Sequence, residues 1–278
     1  TPSAPGKKRN GCGMKLSNEW GKSVLKKYDV RNCTILKKAE AAEGIFDITV
    51  EAGALAETAR AGQFAQIYVP GKTLRRPISI CEIGQADRTL RFVFQVRGGG
   101  TAVLARLRKG EALNILAPLG NGFQPGDTSR RALFIGGIGV PPLLEAAKPF
   151  GRNAVLAAGF RSRSAVILED DFNAAGCRVR IATDDGSLGH RGLVTDLADD
   201  LAFDVIFACG PKPMLRAVSR LAESRGVPCQ VSLEERMACG IGACLGCAVR
   251  LRGESGEYYG HVCKDGPVFD SRNVVWEA

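Results

Sequence analysis

Four cysteines near the C-terminus have a spacing that suits metal binding. They occur as Cys239-x4-Cys244-x2-Cys247, and fifteen residues separate Cys247 from Cys263. This is the plant-type [2Fe–2S] spacing, in which a tight loop supplies three thiolates and a distant segment returns the fourth. A zinc site usually combines two Cys-x2–4-Cys knuckles, and only one x2 pair is present. The spacing favours a [2Fe–2S] cluster over zinc and over a set of metal-free buried thiols.

The residues around these cysteines are predicted to bring the backbone close to the metal. Gly240, Gly242 and Gly246 lie between the ligands. Glycine permits positive φ angles and lets backbone N–H groups approach sulfur without a Cβ clash. The segment EYYGHVC (257–263) predicts a strand that returns Cys263 to the loop, and His261 is expected to be a neighbour rather than a ligand.

Two further segments could bind a flavin pyrophosphate. RRPISI (75–80) places Arg76 and Ser79 at the start of a predicted strand, and RGGGT (97–101) opens a helix at Gly100 and Thr101. Arg76 could neutralise a pyrophosphate, Ser79 could hydrogen-bond flavin N5, and helix N-termini favour anions. Alone, Arg-x-x-Ser also fits an ordinary capped strand. The two phosphate-type features together favour a flavin site.

Three Gly-rich turns are typical of a nucleotide-binding sheet. FIGGIGVPPLL (134–144) follows a predicted strand and opens a helix, although Pro142 replaces the third glycine of the G-x-G-x-x-G pattern. ACGPKPM (208–214) and TDDGSLGHRG (183–192) also follow strands. Open α/β sheets bind ligands at the carboxyl ends of their strands. A plain strand-to-helix turn is the alternative for any one of these segments.

The elements that would position these residues fall into two patterns. The first half predicts short strands around residues 44–52, 62–70, 75–83, 90–98 and 111–120, with one helix at 101–110. Such regular short strands predict a small antiparallel β-barrel. The second half predicts buried strands at 131–137, 153–160, 177–186, 203–210 and 229–235, separated by helices at 141–150, 165–176, 193–202 and 211–226. This alternation predicts a five-stranded parallel sheet.

The fold class is therefore multi-domain, β plus α/β, with a C-terminal [2Fe–2S] module. A Pro/Gly-rich hinge at 118–131 separates the two halves. The expected division is a basic extension over 1–30, a flavin-binding barrel over 31–128, a nucleotide-binding domain over 129–228 and the cluster module over 229–278.

Composition narrows the functional classes. The net charge is +9, but residues 1–40 hold ten Lys/Arg against three Asp/Glu, so the remainder is nearly neutral. Aromatic residues are sparse in this basic region, which favours a solvated tail over a nucleic-acid-binding arm. Neither an apolar membrane-spanning run nor a secretory h-region occurs, so a cytoplasmic protein without a membrane partner is expected. The scattered Cys12, Cys33, Cys81, Cys177, Cys209 and Cys229 are expected to be mostly buried hydrophobic residues.

Taken together, these motifs resemble the ferredoxin–NADP reductase superfamily. The C-terminal LEERMACGIGACLGCAV and HVCKDGPVF resemble, more narrowly, the iron–sulfur electron-transfer subunits of B-type, NAD-dependent dihydroorotate dehydrogenases, over about residues 31–275. The resemblance implies FAD contacts at Arg76, Pro77, Ile78, Ser79, Val93, Phe94, Gln95, Gly100 and Thr101. It implies NAD contacts at Gly136, Gly137, Gly139, Cys209, Gly210, Pro211 and Met214, and cluster ligation by Cys239, Cys244, Cys247 and Cys263.

The same resemblance implies a function in pyrimidine (UMP) biosynthesis. A separate FMN-containing catalytic subunit would oxidise dihydroorotate, and electrons would pass through [2Fe–2S] and FAD to NAD⁺ within a hetero-oligomer, expected to be a heterotetramer. No acid/base catalyst is expected, because such a relay depends on cofactor positioning. Arg161 and Arg163 leave NADP open as the alternative nucleotide. The alternative functions are the small subunit of a related NAD(P)H–ferredoxin or sulfide dehydrogenase complex, and a non-catalytic redox-sensing module.

Overall fold

A computed structural model describes residues 28–276 of the chain. The predicted basic extension and Cys12 therefore lie almost wholly outside the described residues. Seven antiparallel strands form the first domain: β1 (Asp29–Ala42), β2 (Ile45–Glu51), β3 (Phe64–Ile67), β4 (Arg76–Ser79), β5 (Glu82–Gly84), β6 (Thr89–Gln95) and β7 (Ala112–Leu119). Their order is β4-β3-β7-β1-β2-β6-β5.

The first domain is the predicted antiparallel barrel, with one predicted strand divided in two. The run at 75–83 forms both β4 and β5, which lie at opposite ends of the strand order. Ile80 and Cys81 join them, and their backbone N–H groups donate to the carbonyls of Gln63 and Arg91 at 2.9 and 2.8 Å. The barrel is thus bridged by a continuous stretch of chain. Its interior contains buried side chains such as Ile67.

The second domain contains a seven-stranded mixed sheet. Its strands are β8 (Ala132–Gly136), β9 (Ala154–Phe160), β10 (Arg178–Thr183), β11 (His190–Arg191), β12 (Val205–Cys209), β13 (Cys229–Ser232) and β16 (Val268–Asp270), in the order β11-β10-β9-β8-β12-β13-β16. The five predicted strands are present and parallel. The prediction of a purely parallel, five-stranded sheet is wrong, because β11 extends one edge and β16 pairs antiparallel with β13 at the other.

Helices cover this sheet and the barrel ends. They are α1 (Ala54–Thr58), α2 (Gly99–Leu104), α3 (Pro141–Ala147), α4 (Glu169–Ala174) and α5 (Lys212–Arg225). The helix predicted at 165–176 begins only at Glu169, because Leu168 has a left-handed backbone with φ 62°. The helix predicted at 193–202 is a short 3-10 segment, Val194–Ala198. Across residues 28–276, no helix has the length and apolar character needed to cross a membrane.

The cluster module packs against both other domains. Its hairpin consists of β14 (Ala248–Gly253) and β15 (Gly256–His261). One buried core contains Cys247 and Cys263 of this module, Phe64 of the barrel and Ile206 of the sheet. Because hydrophobic side chains from all three parts share this core, the cysteine loop is held beside the barrel wall.

A half-buried charge network also joins the barrel to the second domain. Arg91 on β6 contacts Asp47 on β2, Glu82 on β5 and Asp171 on α4. Lys148 directly follows α3, and its Nζ lies 2.7 Å from Glu82 Oε1. These contacts join the two domains, together with a hydrogen bond from the Ile83 N–H to Glu145 Oε2 at 3.1 Å.

Candidate functional site

The four cysteines of the spacing motif meet beside the barrel. Cys239, Cys244 and Cys247 lie on the loop between β13 and β14, and Cys263 follows the end of β15. The strand predicted to carry Cys263 therefore ends two residues before it, and His261 is the last strand residue. Cys247 and Cys263 are buried, Cys239 is half-buried and Cys244 is exposed. The site is thus anchored on the interior side and open on the other.

Backbone N–H groups, most of them on the glycine-rich loop, point at three of the sulfurs. Cys239 Sγ accepts from the N–H groups of Ile241 and Ala243, at 3.4 and 3.2 Å. Cys263 Sγ accepts from Gly242 at 3.1 Å, and Cys247 Sγ accepts from the N–H of Cys263 at 3.4 Å. Such donors stabilise sulfur that carries negative charge.

The metal-free thiols respond to these surroundings in opposite ways. Burial alone would raise the pKa of Cys239, but the N–H groups of Ile241 and Ala243 outweigh it and lower the pKa to about 6. Burial and the adjoining Cys247 raise the pKa of Cys263 to about 12. Coordination would remove both protons, since a metal-bound thiol is deprotonated outright.

The donor set fits a cluster with two irons. Within residues 28–276, no three His, Cys, Asp or Glu side chains are already arranged around a single metal position. The four thiols are neighbours of one another: Cys244 acts on the pKa of Cys239, and both Cys247 and Cys239 act on the pKa of Cys263. Four cysteine thiolates are the usual ligands of a [2Fe–2S] cluster. Thiolate sulfur, N–H donors and positive-φ glycines at 240 and 242 are all suited to that group.

A cavity of about 300 Å³ brings the predicted flavin and nucleotide residues together. Eight of the nine residues expected to bind FAD line it: Arg76, Pro77, Ile78, Ser79, Val93, Phe94, Gln95 and Thr101. Its opposite wall comes from the second domain and includes Gly139 and Cys209. The ends of β4 and β6 therefore face the first glycine loop and the end of β12.

Arg76 lies directly against the start of α2. A Cβ atom built on Gly100 would be 2.2 Å from Arg76 Nε, so only glycine leaves room for this guanidinium. Arg76 itself donates to the carbonyl of Leu74 at 2.6 Å. The Thr101 hydroxyl accepts from the N–H of Arg97 at 2.9 Å, so it also shapes the loop that precedes α2. A cation beside a glycine-lined turn suits a pyrophosphate.

Glu234 lines the same cavity and was missed by the sequence analysis. It lies just beyond β13, and Cys239 follows five residues later. The signal that could have found it is its place after a predicted parallel strand, where open sheets bind ligands. Cys209, on the wall with it, is buried, and burial raises the pKa of its thiol to about 12.

A second cavity of about 490 Å³ lies along the carboxyl ends of the parallel strands. The predicted residues Gly137, Pro211 and Met214 line it, together with Arg161 and Asp184. This groove has the position at which open α/β sheets bind nucleotides. Arg163 does not line it: its Nε donates to the carbonyl of Ser187 at 3.3 Å.

The glycines of the turn at the end of β8, residues 136–139, allow close packing against neighbouring strands. A Cβ on Gly139 would lie 2.4 Å from the carbonyl oxygen of Cys209, and one on Gly137 would lie 2.5 Å from that of Gly159. Gly136 and Gly210 line neither cavity. A Cβ on Gly136 would contact Val140, and a Cβ on Gly210 would contact Met214. These glycines let the loop press against neighbouring strands.

Helix α3 itself offers few donors to a phosphate. Pro141 and Pro142 lack N–H groups, and the N–H groups of Val140 and Leu143 already bond to carbonyls. Any pyrophosphate contact at this turn must therefore come from the glycine loop rather than from the helix N-terminus. The assignment of NAD to individual residues stays a prediction.

The scattered cysteines behave as expected wherever the structure describes them. Cys33, Cys81, Cys177, Cys209 and Cys229 are all buried free thiols. Burial raises the pKa of each, to about 11 for Cys33 and Cys177. They are therefore poor nucleophiles near neutral pH.

The barrel, the sheet and the cysteine module define an iron–sulfur flavoprotein of the ferredoxin reductase type. A solved structure of an NADH-dependent reduced ferredoxin–NADP oxidoreductase superposes with a TM-score of 0.79 at 29% identity, covering 88% of this chain and 90% of that one. A cytochrome P450 reductase from Amycolatopsis, 21% identical with a TM-score of 0.61, shares the fold over 71% of this chain and 66% of its own.

Comparison with related sequences identifies the family more narrowly than comparison of folds. Residues 234–275 match the iron–sulfur cluster binding domain of dihydroorotate dehydrogenase B. The dihydroorotate dehydrogenase B (NAD(+)) electron transfer subunit of Geobacillus kaustophilus is 42% identical over 87% of this chain and 97% of the relative. The Streptococcus mutans subunit is 40% identical over 88% and 97%. The chain belongs to the family of dihydroorotate dehydrogenase B electron transfer subunits.

Proposed function

We propose that this chain carries electrons from an FMN-containing dihydroorotate dehydrogenase subunit to NAD⁺, through a [2Fe–2S] cluster and FAD, in pyrimidine biosynthesis. The family membership supports the cofactor types and the partner. The FAD, NAD and cluster residues predicted from the sequence are retained as the proposed contacts.

The observation that carries this proposal is the shared wall of the 300 Å³ cavity. Ser79 and Gln95 of the barrel face Cys209 and Glu234 of the sheet across it. A flavin ring on the barrel side and a nicotinamide on the sheet side would meet there. Glu234 is followed within five residues by Cys239, so the third site begins where the first two meet.

When bound, FAD exchanges hydride with nicotinamide and single electrons with iron–sulfur, so it couples two-electron to one-electron chemistry. The chain's own residues have positional tasks. Arg76 and Gly100 hold the pyrophosphate end, Ser79 offers a hydroxyl to the ring edge, and the Gly137–Gly139 turn allows the nucleotide to approach. Neither His190 nor His261, the two histidines among the described residues, lines this cavity, so no acid/base step is assigned.

The proposed nucleotide is NAD rather than NADP. Only one of the two candidate arginines, Arg161, lines the groove, and the carboxylate of Asp184 lines it as well. A two-arginine clamp would favour a 2′-phosphate, whereas a carboxylate repels one and can accept from a ribose hydroxyl. The relatives are NAD(+) electron transfer subunits, which agrees with this choice.

The proposed domain division follows the sequence prediction with one adjustment. The strand β13 pairs with β12, and the family match begins at residue 234. We therefore assign β13 to the nucleotide-binding domain and start the cluster module near residue 234. The strand β16 returns from that module to the sheet edge.

The test is electron flow in the complex. Cys244→Ser should lower the iron content from about two irons per chain and abolish dihydroorotate-dependent NAD⁺ reduction. The partner's oxidation of dihydroorotate with an artificial dye should persist. Cys177→Ala, a buried cysteine away from the loop, is the matched control and should retain iron and electron flow. NAD⁺ reduction that survives Cys244→Ser would contradict the proposed path.

Activity assays with different substrates distinguish the alternative functions. A redox-sensing module would not turn over NADH, so reduction of an artificial acceptor by the isolated chain excludes it. A sulfide or ferredoxin–NADP complex would show activity with those substrates and none with dihydroorotate. The family of the relatives favours dihydroorotate.

A further inference from the structure

Gln66 is a buried glutamine whose side-chain amide has no hydrogen-bonding partner among residues 28–276. It lies on β3 and is 0% exposed. Neither its Oε1 nor its Nε2 makes a hydrogen bond. Few other buried side-chain atoms among residues 28–276 lack a hydrogen bond. A buried polar group without a hydrogen bond lowers the free energy of unfolding by about 1–3 kcal/mol, so a partner from a bound ligand is expected.

The strand β3 directs Gln66 out of the barrel. Ala65 and Ile67 belong to the barrel interior. Residues alternate between the two faces of a strand, so Phe64 and Gln66 share the outer face. Phe64 lies in the core that contains Cys247 and Cys263. The amide is therefore on the side of the barrel that the cluster module covers.

The cysteine loop lies directly on this amide. A Cβ atom built on Gly240 would be 2.6 Å from Gln66 Cγ and 2.9 Å from Gln66 Nε2. Gly240 also has φ +75°, a conformation that side chains rarely adopt. It follows Cys239 directly, so Gln66 Nε2 approaches the loop at the residue after the first cluster ligand.

A further neighbour of Gln66 lines the 300 Å³ cavity. Pro77 on β4 is the register partner of Gln66, and directly opposed residues of antiparallel strands lie on the same face. Pro77 lines the 300 Å³ cavity. Gln66 is thus placed between the wall of the flavin site and the loop that holds the cluster.

We propose that the Gln66 side-chain N–H donates a hydrogen bond to an anionic sulfur of the bound iron–sulfur cluster and thereby raises the cluster's reduction potential. This inference rests on the proposed function, because it requires the cluster to be present. Hydrogen bonds to sulfur tune iron–sulfur potentials, since they stabilise the reduced, more negative form. Gln66 is accordingly a positioning and tuning residue, and no bond to it changes during turnover.

The decisive variant is Gln66→Met in the complete complex. Methionine has a similar length and no donor, and it removes a polar group that has no partner in the described part of the chain, so the fold should persist. An EPR-monitored redox titration should show the cluster midpoint potential shifted to lower values by more than the spread of replicate titrations. The FAD content should be unchanged.

Gln63→Met is the matched control. Gln63 is another buried glutamine of the barrel, but its Nε2 donates to the carbonyl of Gly120 at 2.7 Å and its Oε1 accepts from Arg60 at 2.8 Å. This variant should lower thermal stability and leave the cluster potential in place. Equal potentials for the wild-type and Gln66→Met complexes, with the cluster spectrum intact, would overturn the inference.

A second measurement needs no variant to fold. In wild-type complex labelled with ¹⁵N in glutamine side chains, pulsed EPR of the reduced cluster should show a ¹⁵N coupling, and its absence would also overturn the inference. Replacing inorganic sulfide by selenide identifies the acceptor. The Gln66→Met shift changes if the bond is to inorganic sulfide and stays the same if it is to a cysteine thiolate.

The two proposals fail in different ways. A complex that contains no cluster, or that lacks dihydroorotate-dependent NAD⁺ reduction, contradicts the proposed function. If the complex contains the cluster and is active, but its cluster midpoint potential does not change in Gln66→Met, only the proposed role of Gln66 is contradicted.

Discussion

Arg91 on β6 of the barrel hydrogen-bonds Asp171 on α4 of the nucleotide-binding domain, with 3.3 Å between Arg91 Nη2 and Asp171 Oδ2 and a shorter contact from Nη1. The Arg91 side chain is only 17% exposed. Burial alone would lower the pKa of Arg91, but the hydrogen bonds that it donates to Asp47 and Asp171 outweigh burial and raise the pKa. The charged pair therefore fixes the barrel against the sheet.

Asp171→Asn should loosen this domain contact. We expect a loss of about 1–2 kcal/mol in the free energy of unfolding, since one half-buried partner loses its charge. NADH oxidation should slow by about two- to tenfold at unchanged FAD content, because hydride transfer depends on how the two cavity walls align. Asp200→Asn, which breaks the exposed pair with Arg180 within one domain, is the control. Equal kinetic losses in both variants would contradict a domain-aligning role.

Glu82 predicts an acid-sensitive contact at the same boundary. Burial alone would raise the pKa of Glu82, but hydrogen bonds from Lys148 and Arg91 outweigh it and lower the pKa below its usual 4.5. A lowered folded-state pKa gives stability that is present above the unfolded value and is lost as the pH falls through the folded one. Denaturation of Glu82→Gln should therefore show lower stability at neutral pH, and the difference from wild type should shrink below about pH 4.5.

The control for this prediction is Glu57→Gln. Glu57 is an exposed carboxylate paired with Arg88. Its replacement should change the neutral-pH stability less, because exposed pairs contribute little. A difference between wild type and Glu82→Gln that is constant from neutral pH to about pH 3 would exclude the proposed linkage.

Gly100→Ala should weaken FAD binding without unfolding the barrel. The added Cβ would lie 2.2 Å from Arg76 Nε, and a flexible guanidinium can move away. Losing one charge-assisted contact to a pyrophosphate costs about 1.5–3 kcal/mol, so the dissociation constant of FAD should rise by about 10- to 100-fold. Titration of the deflavinated chain measures this constant.

Gly98→Ala is the neighbouring control. A Cβ at this position meets nothing within 4 Å, and φ is 175°, which any residue adopts. It should bind FAD as tightly as the wild type. Identical FAD affinities for the two alanine variants would remove Arg76 and Gly100 from the proposed phosphate site.

Asp184→Asn should improve the use of NADPH. Asp184 lines the 490 Å³ cavity, the proposed nucleotide site, together with Arg161. Removing its negative charge relieves repulsion of a 2′-phosphate, which at a solvated site is an effect of about 1 kcal/mol. The ratio of kcat/KM for NADPH to that for NADH should rise about five- to tenfold.

Asp185→Asn tests whether this effect depends on position. Asp185 is the adjacent exposed carboxylate, and it accepts hydrogen bonds from the hydroxyl and N–H of Ser187 at 2.6 and 2.9 Å. It does not line the groove. If it changed nucleotide preference as much as Asp184→Asn, a general charge effect would replace the proposed specific one.

Local patterns carried most of the fold prediction. Cys239, Cys244 and Cys247 are close in sequence, so their spacing alone indicates one wrapped loop. The strand alternation and the Gly-rich turns are equally local, and the observed sheet contains all five predicted parallel strands. Leu168 shows where this reasoning fails: its left-handed backbone delays α4, and nothing in the apolar pattern signals it.

The residues that sequence analysis missed lie where distant segments meet. Glu234 lines the 300 Å³ cavity only because β13 pairs with β12. The strand β16 joins the sheet only after the chain has passed through the cluster module. Both depend on pairing between segments whose individual patterns do not specify a partner.

The chemistry of this protein could be predicted from short runs of residues, namely the thiolate spacing, the Arg-x-x-Ser strand and the glycine turns. How these parts are connected follows from the packing of the folded chain. Gln66 is an unremarkable polar residue in a strand until Gly240 lies against it, and Arg91 and Asp171 are eighty residues apart. Ligand spacing follows from local chain geometry, whereas burial of an unpaired amide or an ion pair depends on the packing of whole domains.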